Sequence, residues 1–408
     1  MVRKVTSFIN SYAKWGIIGY LLFRMGCGLG YAICYKTGDA QGFFIATRML
    51  RQAFEHSFME GWQLLWYPFY SEETSVRVFF DYYEMQPEIN YFRHLHHYAV
   101  VQLLLPLLFL TADNFYGMNI ACGLLSGLGA MYTYRYFQRI YPHPYWWKVV
   151  VLFLPVSCFW ASGISKETIC FTLMMVAIVS VHRIIYYNRF RWKNVLIIST
   201  CLGIIGAIRL YLAAGIGTML LLWIISHFFN IKYVRRWWMY GSLAGIALII
   251  STLWAITQTV RLHPRYIWAE IHYNREEPMT RPPHLRPRSH FDLGTDTTAY
   301  GMVKTLPSAV SAVLIRPFPW ELKGQPKPVG IAALDGIFSF FLIIWGILLR
   351  RKYAPRLLPE DVFFIMFPLC YGAFLGLSVG NWGTLFRYKV YVLPVLLMSG
   401  GFKKPLNK

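Results

Sequence analysis

The sequence predicts an all-α protein: a polytopic transmembrane helical bundle of about eleven helices, plus or minus one. Three observations carry this expectation. Of the 408 residues, 56% are hydrophobic and only 14% charged, against about 25% charged in an ordinary soluble domain; mean hydropathy is +0.40. The apolar residues come in blocks of about 14 to 21, close to the ~20 that cross a bilayer as a helix. Aromatic residues make up 18%, including 15 Trp and 28 Tyr, the types that populate interfacial belts. We read residues 1–408 as a single integral membrane domain.

In chain order the expected spans are residues 15–35, 98–112, 116–134, 147–162, 168–185, 195–208, 211–229, 238–256, 329–349, 362–379 and 382–400. The first contains Arg24 and runs into polar sequence without a small-residue cleavage site, so it reads as a retained helix rather than a signal peptide. The cysteines (Cys27, Cys34, Cys122, Cys158, Cys170, Cys201, Cys370) are scattered through apolar segments without a CxxC pair, which predicts neither disulfide nor metal. There is no internal repeat.

Net charge is +21. Much of the basic excess sits in short connectors, where the positive-inside rule expects it, so no nucleic-acid partner is predicted. "HRIIYYNRFRWK" from His182, "KYVRRWW" from Lys232, "RRKYAPR" from Arg350, the tail "FKKPLNK" and the start "MVRK" mark the cytoplasmic side. The turn "SGISKE" and the hairpin tip at Arg209 then fall outside. One conflict arises. "YRYFQRIYPHPYWWK" from Tyr134 also reads as cytoplasmic, which puts the stretch before Tyr98 inside, yet one helix after a cytoplasmic N-terminus puts Lys36 outside. Either residues 42–70 hide a crossing or re-entrant element, or one short apolar run fails to span.

Two non-apolar regions stand out. Residues 36–97 form the first extracytoplasmic loop. Within it "DAQGFFIATRMLRQAF" repeats Phe43, Ile45, Ala46, Met49, Leu50 and Ala53 at helical spacing, which predicts an amphipathic helix along the membrane surface. Residues 257–328 form a long extracytoplasmic loop, rich in Pro and charge over residues 275–296 and therefore not regularly helical there.

Charges in or beside spanning segments are expensive and mark candidate sites. Asp39 follows the first span; it is either the N-cap of the surface helix or a carboxylate able to take a proton from an acceptor hydroxyl. Lys166 and Glu167 are either a helix boundary, with Glu167 favourable at a helix N-terminus, or a holder and an orienter of an anionic group. Arg209 either snorkels to the interface or binds an anion. Arg316 and Glu321, with Pro317, Pro319 and Trp320 between them, are an interfacial anchor or part of a site. Arg387, two residues before Lys389, needs an acidic partner or an anionic ligand. The triplet His94, His96, His97 does not put all three rings on one helical face, so no zinc site is predicted. Lys166, Arg209, Arg316 and Arg387 all fall on the outer side, where cations suit a phosphate whose lipid tail stays in the membrane.

Asp39 after the first helix, followed by a surface helix with aromatic and Ala positions, resembles the GT-C superfamily of integral membrane glycosyltransferases. The "FLPVSCFWASGISKE" block, with "IRLYLA", "RPFPWE" and "NWGTLFRYKVYVLP", is similar to bacterial polytopic proteins of surface-polysaccharide assembly, including O-antigen-polymerase-like members. The resemblance implies a helical transmembrane core, a first extracytoplasmic loop bearing a catalytic acid, and a lipid-linked sugar donor. By that match Asp39 is the general base. The acid often comes in a pair, whereas Asp39 is followed by Ala40, which argues against metal dependence. The second aromatic position is Phe43 or Phe44.

The expectation is therefore a multi-pass glycosyltransferase of the bacterial inner membrane. It would transfer a sugar from a polyprenyl-phosphate or pyrophosphate carrier to a glycan or lipid-linked acceptor during cell-surface glycan assembly. Asp39 would be catalytic; Lys166, Arg209, Arg316 and Arg387 would bind the carrier phosphate; Glu167 and Glu321 would orient. No cofactor is expected, with a divalent metal the alternative held open. The rival readings are a polymerase or ligase joining preassembled lipid-linked units, and a transporter or flippase of such a substrate.

Overall fold

The computed structural model describes residues 2–36, 38–66, 90–141, 145–187, 191–228, 299–322, 327–353 and 360–400. Among these the protein is all-helical, with no β-strand. The helices are α1 (Val2–Cys34), α2 (Asp39–His56), α3 (Phe58–Trp66), α4 (Asn90–Arg93), α5 (Leu95–Leu110), α6 (Phe115–Ile140), α7 (Tyr145–Leu152) and α8 (Pro155–Trp160), followed by α9 (Lys166–Tyr187), α10 (Trp192–Ile208), α11 (Leu210–Phe228), α12 (Ala299–Leu314), α13 (Lys327–Tyr353), α14 (Phe367–Ser378) and α15 (Trp382–Gly400). A 3₁₀ turn spans Pro319–Leu322, and a π-helical turn, Val362–Met366, leads into α14.

The expected spans that lie among the described residues fall on helix, with 147–162 split in two. The expected span 238–256, the connector from Lys232, the charged stretch 275–296 and the C-terminal tail lie outside them. Among the described residues four helical stretches are long and apolar enough to cross a membrane: Gly16–Cys34, Lys166–Tyr187, Leu210–His227 and Ala333–Lys352, with a fifth if the bent pair α5 and α6 counts as one span. On α1, Ile18, Leu22, Phe23, Leu29 and Ile33 point outward, as do Leu334, Phe338, Phe341 and Trp345 on α13. Apolar side chains displayed outward on apolar helices are the pattern of a lipid-facing surface. The fold is that of a membrane protein.

Three differences from the sequence expectation have local causes. The expected span 147–162 is broken into α7 and α8, because Pro155 opens α8 and biases the residue before it away from helix. Residues 299–314, expected within the long loop, form α12: Leu306, Ala309, Val310 and Val313 recur at helical spacing, with Ala309, Ala312 and Val313 buried. The spans 98–112 and 116–134 are α5 and α6, bent at 109° to one another. The bend rests on two consecutive left-handed residues, Ala112 (φ 48°) and Asp113 (φ 59°). The Asn114 side chain accepts the Gly117 amide at 2.8 Å and restarts the helix, while Arg51 holds Asp113 at 2.9 Å.

The chain divides into two compact units. The first comprises Met1–Thr133, Cys158–Ala177 and Ile197–Leu210. In it α1 lies against α6 so closely that a Cβ on Gly28 would overlap the Asn119 carbonyl. Arg24, buried within the span, donates to the Ser126 hydroxyl and to the Ala161 carbonyl at 2.9 Å. Helix α2 packs on α3, α4 and α5. Its apolar stripe of Phe43, Phe44, Ala46, Met49, Leu50 and Ala53 is buried against protein, so the amphipathic face read from the sequence is covered by neighbouring helices.

The second unit comprises Tyr134–Ser157, Ile178–Leu196 and Tyr211–Lys408. Here α12 packs on α14, and α13 and α14 pack on α15. Trp147 donates its indole N–H to the Leu397 carbonyl at 3.0 Å. The fully buried Lys389 of α15 is paired with Asp335 of α13 at 2.9 Å. Of the two alternatives the sequence left open for the cations at Arg387 and Lys389, an acidic partner or an anionic ligand, Lys389 has the acidic partner.

Candidate functional site

In the first unit the chain assembles a cluster of charge from four distant segments. Gly38 occupies the N-cap of α2 with φ 84° and ψ −150°, a backbone conformation that glycine adopts without steric cost. Asp39 is therefore the first helical residue and not the cap, and its carboxylate stands exposed in the first turn, where the helix dipole favours negative charge.

The second segment is the start of α5. His94 is its N-cap in an extended conformation, with His96 and His97 in the first turn. Because His94 lies off the helix, the three rings gather after all: centroids are 5.4 Å apart for His94–His96, 6.1 Å for His94–His97 and 4.4 Å for His96–His97. The His97 ring stands on edge to Tyr91 at 5.1 Å, and its Nδ1 has no hydrogen-bond partner among the described residues. Tyr91 in turn covers Gly42, where a Cβ would overlap its ring.

The third segment is the SGISKE turn. It is fixed from several directions. Ser162 Oγ donates to the Cys158 carbonyl, and the Ile164 amide donates to Asn119 Oδ1 at 2.9 Å. A Cβ on Gly163 would overlap the Tyr31 ring, which also packs on Phe159 and Trp160. Ser165 Oγ accepts the Thr168 amide at 3.2 Å and so caps α9, and Thr168 Oγ1 donates to the Gly163 carbonyl at 2.6 Å. This small, hydrogen-bonded turn delivers Lys166 and Glu167 at the N-terminus of α9.

Arg209 sits at the single-residue break between α10 and α11 and donates its guanidinium to the Glu167 carboxylate. Both residues are buried. Lys166 makes no direct ion pair among the described residues, but the charges of Arg209, Glu167 and Asp39 act on it. His96 feels Lys166 and Arg209; His97 feels Lys166, His96 and Asp39. Asp39, Lys166, Glu167 and Arg209 thus belong to one electrostatic neighbourhood with the histidine triplet. The site offers an exposed carboxylate, imidazole nitrogens, an ammonium and a guanidinium oriented by a buried carboxylate. Such a set can hold an anion and accept a proton from a hydroxyl.

The other expected site residues belong to the second unit. Arg316 forks onto Glu321, with Nε at 2.8 and 3.1 Å from the two carboxylate oxygens, and the Phe318 amide donates to the same carboxylate at 2.7 Å. Burial alone would raise the Glu321 carboxyl, but the bonds from Arg316 and Phe318 hold it below the usual carboxylate range. The Arg316 guanidinium lies over the Trp382 ring, 5.5 Å from its centroid, and Trp320 stacks on Phe318 at 4.6 Å. Arg387 is half-buried on α15, next to Tyr388, whose hydroxyl accepts from Tyr211 at 2.9 Å.

Among the described residues no group of three or more His, Cys, Asp or Glu side chains could hold a metal ion. Sequence reasoning considered the histidines only as metal ligands and so missed them as members of this cluster. The available signal was their place at a helix start close behind the helix that begins at Asp39.

These features define a helical membrane protein with a cluster of opposite charges at helix ends. No protein-family model matches the chain, and neither a curated protein nor a solved structure is significantly similar to it.

Proposed function

We propose that the protein is a membrane glycosyltransferase of GT-C type, in the bacterial inner membrane, that transfers a sugar from a polyprenyl-phosphate or pyrophosphate carrier during cell-surface glycan assembly. The observation that carries this reading is the convergence of Asp39, Lys166 and the Glu167–Arg209 pair in one unit.

The chemistry follows from the roles these groups can take. The Asp39 carboxylate accepts the proton of the acceptor hydroxyl as its oxygen attacks the anomeric carbon. The bond from that carbon to the carrier phosphate breaks, and the phosphate leaves with the electron pair. Lys166 and Arg209 stabilise the negative charge that grows on the leaving group, the kind of preorganised electrostatic help that dominates many enzymatic rate enhancements. Glu167 is a positioning residue that fixes the Arg209 fork. Arg316, forked onto Glu321, and Arg387 belong to the second unit, and this step draws on residues of the first.

The bent pair supports the outward orientation of this site. If α5 and α6 count as one span, a cytoplasmic N-terminus, an outer segment from Lys36 to the start of α5 and a cytoplasmic connector after Tyr134 become mutually consistent. Asp39, the histidines, the SGISKE turn and Arg209 then share the outer side, where a lipid-linked donor presents its sugar.

The test is Asp39→Asn in cells that make the glycan, with protein levels followed in the membrane fraction. Loss of sugar transfer at normal protein level is expected. Unchanged transfer favours a polymerase or ligase. Turnover of a polyprenyl-phosphate-linked sugar by purified protein in detergent separates an enzyme from a flippase, which moves the lipid without cleaving it.

A further inference from the structure

The second unit contains a buried hydrogen-bonded chain that the proposed transfer reaction does not use. His182 of α9 is fully buried. Its Nδ1 lies 2.9 Å from the Tyr136 hydroxyl and its Nε2 3.2 Å from the Tyr141 hydroxyl. Tyr141 donates to the Glu360 carboxylate, which lies 3.8 Å from His182 Nε2. Phe137, Trp223 and Phe364 wall the chain: Phe137 and Trp223 pack on the imidazole at 4.9 and 5.6 Å, and Phe364 packs on Phe137 at 5.2 Å.

We propose that Tyr136, His182, Tyr141 and Glu360 form a proton-binding site and relay that exchanges a proton with the cytoplasmic side of the membrane. Three features argue for it. The first is connectivity: every neighbouring pair in the chain is within hydrogen-bond distance, and one consistent polarity satisfies it. Tyr136 donates to Nδ1, Nε2–H donates to the Tyr141 oxygen, and Tyr141 donates to Glu360. The second is cost. Ionisable groups buried inside membrane proteins are expensive, and carboxylate–histidine chains there mark proton pathways. Burial holds the Glu360 carboxyl above the usual carboxylate range, against the hydrogen bond from Tyr141 and the charge of Arg350. The third is origin. Tyr136 and Tyr141, His182, and Arg350 with Glu360 come from the connectors beginning at Tyr134, His182 and Arg350. The lysine and arginine distribution assigned all three of these to the cytoplasmic side.

The step balances without a co-reactant beyond hydronium. A proton from cytoplasmic hydronium is taken up by the Tyr136 oxygen, leaving water, as its own proton passes to His182 Nδ1. The imidazolium then loses its Nε2 proton to the Tyr141 oxygen, while the Tyr141 O–H bond breaks and that proton binds Glu360. The products are neutral imidazole, two neutral phenols and a carboxylic acid. The surrounding ionisable groups are Tyr186, stacked on His182 at 5.5 Å, and His227, whose charge acts on His182. Arg350 acts on Glu360 and is paired with Asp361, and Arg183 lies over the Tyr136 ring at 5.4 Å.

Infrared difference spectroscopy of the purified protein in lipid, titrated from acid to alkaline pH, tests this. The expected result is a carboxylic-acid C=O band that persists at neutral pH, vanishes in Glu360→Gln, and moves to higher frequency in Tyr141→Phe as the hydrogen bond is lost. No such band at neutral pH, or a band indifferent to Glu360→Gln, overturns the site. A band indifferent to Tyr141→Phe overturns the relay. Should Glu360→Gln fail to fold, the band in the unaltered protein and its shift in Tyr141→Phe decide the matter alone. The measurement needs no sugar donor, so its failure is separate from failure of the transferase reading.

Discussion

Glu167→Gln is the perturbation that most sharply tests how the candidate site is built. The Arg209 and Glu167 side chains are 9% and 4% exposed, and they join the start of α9 to the break between α10 and α11. The substitution keeps the shape of Glu167 but removes its charge, leaving a buried guanidinium without this carboxylate. Breaking a buried pair from one side costs about 3–5 kcal/mol, and position at a helix end beside the interface argues for about 3. That is a shift of roughly a hundredfold in the folding equilibrium. Replacing both residues, Glu167→Gln with Arg209→Met, removes both desolvation penalties and should return stability to within about 1 kcal/mol of the starting protein. The assay is equilibrium unfolding in mixed micelles with a rising fraction of ionic detergent, run on the single and double variants as a cycle. With each single change costing about 3 kcal/mol and the double change about 1, a coupling of about 5 kcal/mol is expected. Additive effects, or a single-variant cost below about 0.5 kcal/mol, would show that the pair is not the buried clamp described.

Other consequences are equally open to measurement. Asp335→Asn leaves fully buried Lys389 without its carboxylate and should destabilise by about 3 kcal/mol, while Asp335→Asn with Lys389→Met should recover most of that loss; thermal denaturation in lipid reads both. Gly163→Ala pushes a methyl group into the Tyr31 ring and should cost about 1–3 kcal/mol as an overpacked site, whereas alanine at Gly203, where nothing lies within 4 Å, should be neutral or stabilising. The depressed Glu321 carboxyl contributes stability above the ordinary carboxylate pKa and loses it as pH falls through its lowered folded value; Glu321→Gln should flatten that acid limb of a denaturation-against-pH profile. Glu360 has the opposite sign. Its raised carboxyl favours the folded state at low pH and loses that advantage as pH rises through the folded value, so Glu360→Gln should remove a decline in stability on the alkaline side of the ordinary carboxylate range.

Much of the fold is legible in the sequence because a bilayer demands long apolar runs. The helices α9, α11 and α13 stand almost where the runs 168–185, 211–229 and 329–349 place them. Pro155 gave a readable sign that the run 147–162 would break. The bend at Thr111–Asn114 was harder, since "TADN" reads equally as a loop between two spans; what makes it a corner is the left-handed pair at Ala112 and Asp113 with Arg51 holding Asp113 from another helix. At the site, sequence reasoning picked out Asp39, Lys166, Glu167 and Arg209 as charges in costly places and grouped them, with Arg316, Glu321 and Arg387, only by their expected side of the membrane. It could not show that Glu167 pairs with Arg209, because nothing local couples residues on different helices. It misplaced the histidines by assuming a helical register that His94, at the cap, does not share. Asp335 was passed over inside an apolar run, although a buried lysine such as Lys389 requires an acid of that kind.

The central claim is that the charged cluster of the first unit grips a lipid phosphate, and binding of a polyprenyl phosphate to the purified protein tests it most directly. Native mass spectrometry or fluorescence titration should show saturable binding that Lys166→Met weakens by about 10- to 100-fold, the worth of one charge-assisted contact. The control pair Asp335→Asn with Lys389→Met should leave that binding unchanged. Equal affinity for the lipid phosphate with and without Lys166, in protein that is otherwise folded, would contradict the account.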